Sequence, residues 1–187
     1  MNGPFTAIDR IAKATVFACQ KHAGATRDDG ITPYAVHPIR VMENLRRFCA
    51  ERDEAVLIAA LLHDTIEDAA VTYDDIAAQF GEDVAGLVAE LTNDNRLPKA
   101  KRRAEMMQHL LDLSPRAKRI KLADRLDNVT DLTRGIGTRE KRQRYHEETE
   151  RLLEALAGTC EPIETAIREA LQELHSESHT AEPQPHR

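Results

Sequence analysis

Residues 53–68 read DEAVLIAALLHDTIED. Asp53 has the short acceptor side chain of a helix N-cap, and after Glu54 comes the apolar run AVLIAALL. An apolar run of this kind predicts a buried helix. It ends on His63-Asp64, with Glu67-Asp68 one turn on, so four ionisable groups fall within six residues. Such groups at the end of a buried helix are costly unless something satisfies them. By itself a His-Asp pair has an ordinary explanation, with His63 closing its helix and Asp64 bonding nearby amides. Two further acids beside it point instead to a cation with an acid/base pair.

Outward from this stretch the helical period persists. Ile8, Ile11, Ala12, Thr15, Val16 and Cys19 share a spacing that predicts an amphipathic helix near the N-terminus. Thr72 and Asp75 form a capping-box pattern for a helix that should stop at Gly81, and another follows from about Glu82 to Leu91. Leu97-Pro98 opens a helix through Met106, Met107, Leu110 and Leu111, and Ser114-Pro115 opens the next, with proline at the favoured first position. Thr138 begins a charged helix to about Ala157, and a last one covers about Glu161 to His175. No stretch alternates cleanly enough to predict a strand. Residues 23–34, rich in Gly, Asp and Thr, read as the one long loop, and 176–187 as a polar, disordered tail. The expectation is an all-α domain over residues 1–175, with roughly eight to ten helices.

Composition narrows the function. The 187-residue chain carries 26 Lys+Arg against 32 Asp+Glu, a net charge of −6, which disfavours a general binder of nucleic acid or anionic membrane. Aromatics are 4% with no Trp, so a base-stacking platform for single strands is not expected. Three scattered cysteines, no signal-peptide pattern and no long apolar run lead to the expectation of a soluble cytoplasmic protein. The charge is also uneven. Residues 51–95 hold 12 acids against one base, Arg52, whereas residues 96–121 hold nine bases against two acids. That polarity can place a metal beside carboxylates and phosphates beside cations.

Two other residues join His63 and Asp64. His37 stands in YAVHP, where the loop runs into a helix, and Asp124 stands in IKLADRLDN, inside an apolar helical stripe. Taken singly, His37 is a core or capping histidine and Asp124 pairs with a neighbouring arginine such as Arg125. Taken together, His37, His63, Asp64 and Asp124 form a mixed imidazole–carboxylate set that suits Mn²⁺, Fe²⁺ or Zn²⁺ better than Mg²⁺.

In order, H-x4-R (22–27), PY-x2-HP (33–38), LLHDTIED (61–68), LT-x4-LPK (91–99) and IKLADRLDN (120–128) resemble the HD-type hydrolase domain of the Rel/SpoT family over about residues 5–157. The length is similar to that of its stand-alone small alarmone hydrolases, of which the metazoan SpoT homologue is one. The resemblance implies an all-helical HD-domain bundle that holds one Mn²⁺ per chain through His37, His63, Asp64 and Asp124. It implies hydrolysis of the 3′-pyrophosphate of ppGpp and pppGpp, giving GDP or GTP plus pyrophosphate. Glu67 and Asp68 match the acidic pair that orients and deprotonates the attacking water. Asn128 matches a nucleotide contact near the metal, Arg27 an arginine against the base, and Lys99 a phosphate-binding lysine; Lys141 and Tyr145 match a basic residue and a tyrosine facing the substrate. The implied partner is a small nucleotide, with neither nucleic acid nor membrane. Asp28 follows Arg27 where the metazoan pattern has Lys, and residues 135–138 replace a segment that contains tryptophan in some relatives. The alternatives are an HD phosphohydrolase acting on (p)ppApp or on another nucleotide such as NADPH, a non-catalytic nucleotide-binding regulator, and a structural bundle.

Overall fold

The computed structural model describes residues 7–180 apart from 94–96, 99, 100, 102–104, 106 and 137, and describes side chains between residues 10 and 175. Nine helices are assigned among the described residues: α1 Ala7–Lys21, α2 Val36–Cys49, α3 Glu54–Leu62, α4 Thr65–Asp68, α5 Tyr73–Phe80, α6 Glu82–Leu91, α7 Pro115–Thr133, α8 Arg139–Ala155 and α9 Glu161–Thr180. The only extended pairing among them is a single bridge between Thr26 and Pro33. The all-α expectation holds.

The apolar run forms α3, and every residue from Val56 to Leu62 is buried. Asp53 caps it, accepting from the Ala55 amide at 2.9 Å. α3 packs against α1, α2, α6 and α7, so a helix about 14 Å long becomes the centre of the bundle. With no polar face along α3, the next ionisable side chains come at its end, His63 followed by Asp64.

The other capping signals also act as their chemistry requires. Thr72 and Asp75 close a reciprocal capping box on α5. Gly81 takes φ 92°, a left-handed conformation open to glycine, and joins α5 to α6. Ser114 accepts from Ala117 N with Pro115 in the first turn of α7, and Thr138 accepts from Lys141 N to start α8.

Three expectations need correction. α1 buries Ala14, Phe17 and Ala18, while Val16 is 56% exposed and Ala12 and Cys19 face outward. Both stripes have helical spacing, and the large Phe17 ring, packed edge-on against Phe80 at 5.5 Å, settles which one turns inward. In the segment opened by Leu97-Pro98, Leu110 is buried but Leu111 is 63% exposed, and Met106 lies outside the described residues. α9 runs on to Thr180, past the end expected near His175; residues 181–187 lie outside the described residues.

The loop 23–34 is closed upon itself. Asp29 Oδ1 accepts from the amides of Ile31 (2.9 Å) and Thr32 (2.8 Å), and Arg27 N donates to Thr32 O at 2.8 Å. Gly30, at φ 69°, makes the turn possible. A loop held in this way carries Arg27 and Asp28 at a defined place beside the bundle.

Candidate active site

α3 ends on His63, and α4 begins after Asp64, so the two residues sit at a corner between helices. His37 is in the first turn of α2, and Asp124 lies midway along α7. The packing of α2 and α7 against the end of α3 brings the four together. One ligand atom each from His37, His63 and Asp124 falls within 4.8 Å of the others. Asp64 borders the group: Oδ1 is 3.2 Å from His63 Nε2, and Oδ2 is 3.5 Å from His37 Nε2.

The donor chemistry fits a cation. His63 Nδ1 lies 2.9 Å from Ala60 O; a carbonyl only accepts, so Nδ1 carries the proton. That leaves Nε2, buried and without a hydrogen-bond partner, facing the two carboxylates. Burial works against ionisation of Asp124, but Lys121, His37 and His63 outweigh it and hold the carboxyl well below its usual range. Burial also opposes ionisation of Asp64, and His63 and His37 keep its carboxyl low. Burial likewise opposes charge on His37, yet Asp124, Asp127 and Asp64 raise it to about 9. The carboxylates therefore stay negative and draw positive charge onto the imidazoles. A divalent ion supplies that charge in place of protons.

Around this centre the structure opens a cleft of about 410 Å³, within the range of small-molecule sites. Arg27, His37, Asp64, Glu67, Asp68, Asp124, Asn128, Lys141 and Tyr145 all line it. His63 sits behind them in the ligand group, and Lys99 lies outside the described residues. Glu67 Oε2 accepts from Asn93 N and Nδ2 at 3.2 and 3.0 Å, which ties α4 to the end of α6. Burial, with the Asp64 and Glu67 carboxylates, pushes the Asp68 carboxyl upward.

Several side chains are already engaged. Asn128 Nδ2 donates to Asp124 Oδ1 at 2.5 Å, and its Oδ1 accepts from Arg27 Nη2 at 2.9 Å. Arg27 Nε donates to Asp131 Oδ2 at 2.8 Å. Lys141 is paired with Asp28, so the acid that stands where the metazoan pattern has a lysine closes onto the basic residue of α8. Tyr145 has the Arg125 guanidinium 4.8 Å and the Lys141 ammonium 5.3 Å from its ring centre.

The partner of Asp124 is Lys121, at 2.9 Å, rather than Arg125. Sequence reasoning also missed Tyr34, whose hydroxyl donates to Asp64 Oδ2 at 2.6 Å, and the acids Asp127 and Asp131, paired with Arg40 of α2. The signal for the two acids was present: positions 124, 127 and 131 follow helical spacing on one stripe, as do His37 and Arg40 on α2.

Comparison with known proteins identifies the family. Residues 14–160 match the HD domain family. The chain belongs to that family. The HD-domain chain is 39% identical over 168 residues to the guanosine-3′,5′-bis(diphosphate) 3′-pyrophosphohydrolase MESH1 of Mus musculus, covering 88% of this chain and 94% of the relative. The MESH1 of Xenopus tropicalis is 41% identical over 158 residues, covering 82% and 88%. A solved structure of a metazoan orthologue of SpoT, described as hydrolysing ppGpp, superposes with a TM-score of 0.83 at 36% identity, covering 88% of this chain and 94% of that one. Among the described residues, no helix of the HD-domain fold is long and apolar enough to cross a membrane.

Proposed function

We infer that this HD-domain protein is a metal-dependent hydrolase that removes the 3′-pyrophosphate of guanosine-3′,5′-bis(diphosphate). Water and ppGpp give GDP and pyrophosphate, and pppGpp gives GTP by the same route. One observation carries the reading. Two imidazole Nε2 atoms and two carboxylates converge at the floor of a nucleotide-sized cleft whose walls hold Arg27, Lys121 and Lys141. The MESH1 relatives and the SpoT orthologue support the choice of substrate.

We propose one Mn²⁺ per chain, held by His37, His63, Asp64 and Asp124. When bound, such an ion supplies Lewis acidity, lowering the pKa of water and offsetting phosphate charge. Tyr34 stays a donor, because burial and the Asp64 carboxylate push its hydroxyl far above the normal tyrosine range, and it pins the Asp64 carboxylate. Glu67 and Asp68 lie one turn beyond and line the cleft; in this reading they orient the attacking water and take its proton. Lys121 and Lys141 face the cleft as cations for the pyrophosphate, and Arg27, held by Asp131 and Asn128, offers its plane to the base. Lys99 is proposed as a further phosphate contact from its LPK motif. The free thiols Cys19, Cys49 and Cys160 suit the reducing cytoplasm.

The test is incubation with ppGpp, ppApp and NADPH in parallel, each with Mn²⁺, Mg²⁺ or EDTA, with the products resolved by chromatography. GDP and pyrophosphate from ppGpp with Mn²⁺, abolished by EDTA, are expected. An inert protein with ppGpp under every metal condition overturns the reading, and turnover of only ppApp or NADPH moves it to that nucleotide.

A further inference from the structure

We propose that Asp127 is a positioning residue for the metal centre: it holds His37 with Nδ1 protonated and Nε2 turned toward the ion, and Arg40 in turn holds Asp127. The inference rests on the metal site proposed above.

His37 Nδ1 lies 2.6 Å from Asp127 Oδ2, and both side chains are buried. A carboxylate can only accept, so the proton of this contact belongs to Nδ1. The two ring nitrogens sit at fixed positions on one rigid ring. Anchoring Nδ1 therefore also aims Nε2, which lies 3.4 Å from Asp124 Oδ1 and 3.5 Å from Asp64 Oδ2. His63 reaches the same state through a backbone carbonyl, that of Ala60. For His37 the chain uses an anionic side chain instead, which makes the ring a stronger ligand as well as a better ordered one.

Asp127 does not line the cleft and is not a member of the ligand group; it touches that group through His37. It is 3% exposed, and a carboxylate so buried needs compensation. Arg40, one turn after His37 on α2, provides it. Its Nε is 2.6 Å from Asp127 Oδ1, and its Nη2 donates to Asp127 Oδ2 at 3.1 Å and to Asp131 Oδ1 at 2.8 Å. Asp131 also accepts from Arg27 Nε at 2.8 Å. A continuous chain of ion pairs thus runs from His37 through Asp127, Arg40 and Asp131 to Arg27 on the cleft wall. It spans the α2–α7 contact, where His37 and Arg40 on one helix meet acids spaced three and four residues apart on the other.

The test compares Mn²⁺ binding by calorimetry to metal-stripped wild type, Asp127→Ala and Asp127→Asn, with helix content checked by circular dichroism. Loss of an outer carboxylate partner of this kind weakens metal affinity about 10- to 100-fold, and that is the expectation for Asp127→Ala. Asp127→Asn keeps an oxygen for Nδ1–H and should recover part of the loss. At saturating Mn²⁺ turnover should return most of the way to the wild-type value, whereas general loosening of the fold would leave it low. Wild-type affinity in Asp127→Ala, or no recovery in Asp127→Asn, overturns the proposal. Where Asp127→Ala does not fold, nitrogen-15 spectra of Zn²⁺-loaded wild type decide: a slowly exchanging Nδ1–H on His37 supports it, and an Nε2–H tautomer overturns it. A wild type that binds no Mn²⁺ refutes the metal site itself, whereas a normal wild type with a normal Asp127→Ala refutes only the role of Asp127.

Discussion

Replacing Tyr34 by Phe removes a single oxygen, and the structure shows what depends on it. The hydroxyl donates to Asp64 Oδ2 at 2.6 Å and lies 3.4 Å from Asp68 Oδ2. A hydrogen bond to an ionised group contributes about 1.5–3 kcal/mol. The Asp64 side chain is 20% exposed, so water can replace part of the lost bond, and the lower end of that range applies. About 1.4 kcal/mol corresponds to tenfold in an equilibrium or a rate. The ring should stay in place, since it packs against His22 at 4.7 Å and lies under the Arg27 guanidinium at 5.6 Å. The loss therefore falls on the Asp64 carboxylate rather than on the packing of the ring. Steady-state hydrolysis of ppGpp over a Mn²⁺ titration should show kcat/KM down about tenfold at limiting metal, recovering in part at excess, with Tm lowered by only about 3–6 °C. Unchanged metal dependence and turnover would refute the reasoning, as would a loss of activity that merely tracks a lowered Tm.

Other outcomes follow from the same geometry. Asp64→Ala should abolish both Mn²⁺-dependent thermal stabilisation and turnover, while Glu67→Ala keeps the stabilisation and loses turnover; a Glu67→Ala protein that hydrolyses ppGpp normally removes Glu67 from the mechanism. In metal-free protein the His37 pKa is raised from 6.5 to about 9, so its contribution to stability is complete below pH 6.5 and is lost as pH rises toward 9. Mn²⁺ binding over that window must displace the proton, so affinity should climb with pH and level off above about 9, with proton release visible as buffer-dependent calorimetric enthalpies. Leu61, fully buried in α3, should cost about 3–5 kcal/mol on replacement by Ala, lowering Tm by roughly 6–20 °C; a shift below about 3 °C would contradict a well-packed central helix.

The sequence by itself determined the helices and most of their ends. Asp53, Thr72, Gly81, Ser114 and Thr138 act within a residue or four of where they stand, so their chemistry is local and legible. It also marked His37, His63, Asp64 and Asp124, because charged groups beside or within apolar runs stand out from the pattern. What only the tertiary structure decided was which groups those residues meet. The face of α1 was ambiguous between two stripes of the same period until Phe17 packed on Phe80. Lys121 displaced Arg125 as the partner of Asp124 because side chains three apart on a helix share a side and adjacent ones do not. Asp28 met Lys141, and Asp127 met His37, across separations of 113 and 90 residues. Such pairings depend on how α2, α7, α8 and the loop 23–34 pack, and helical periodicity carries no information about the distance between helices. The candidate ligands stood out in the chain, and the packing supplied the tyrosine and aspartate that contact them and the arginine paired with that aspartate.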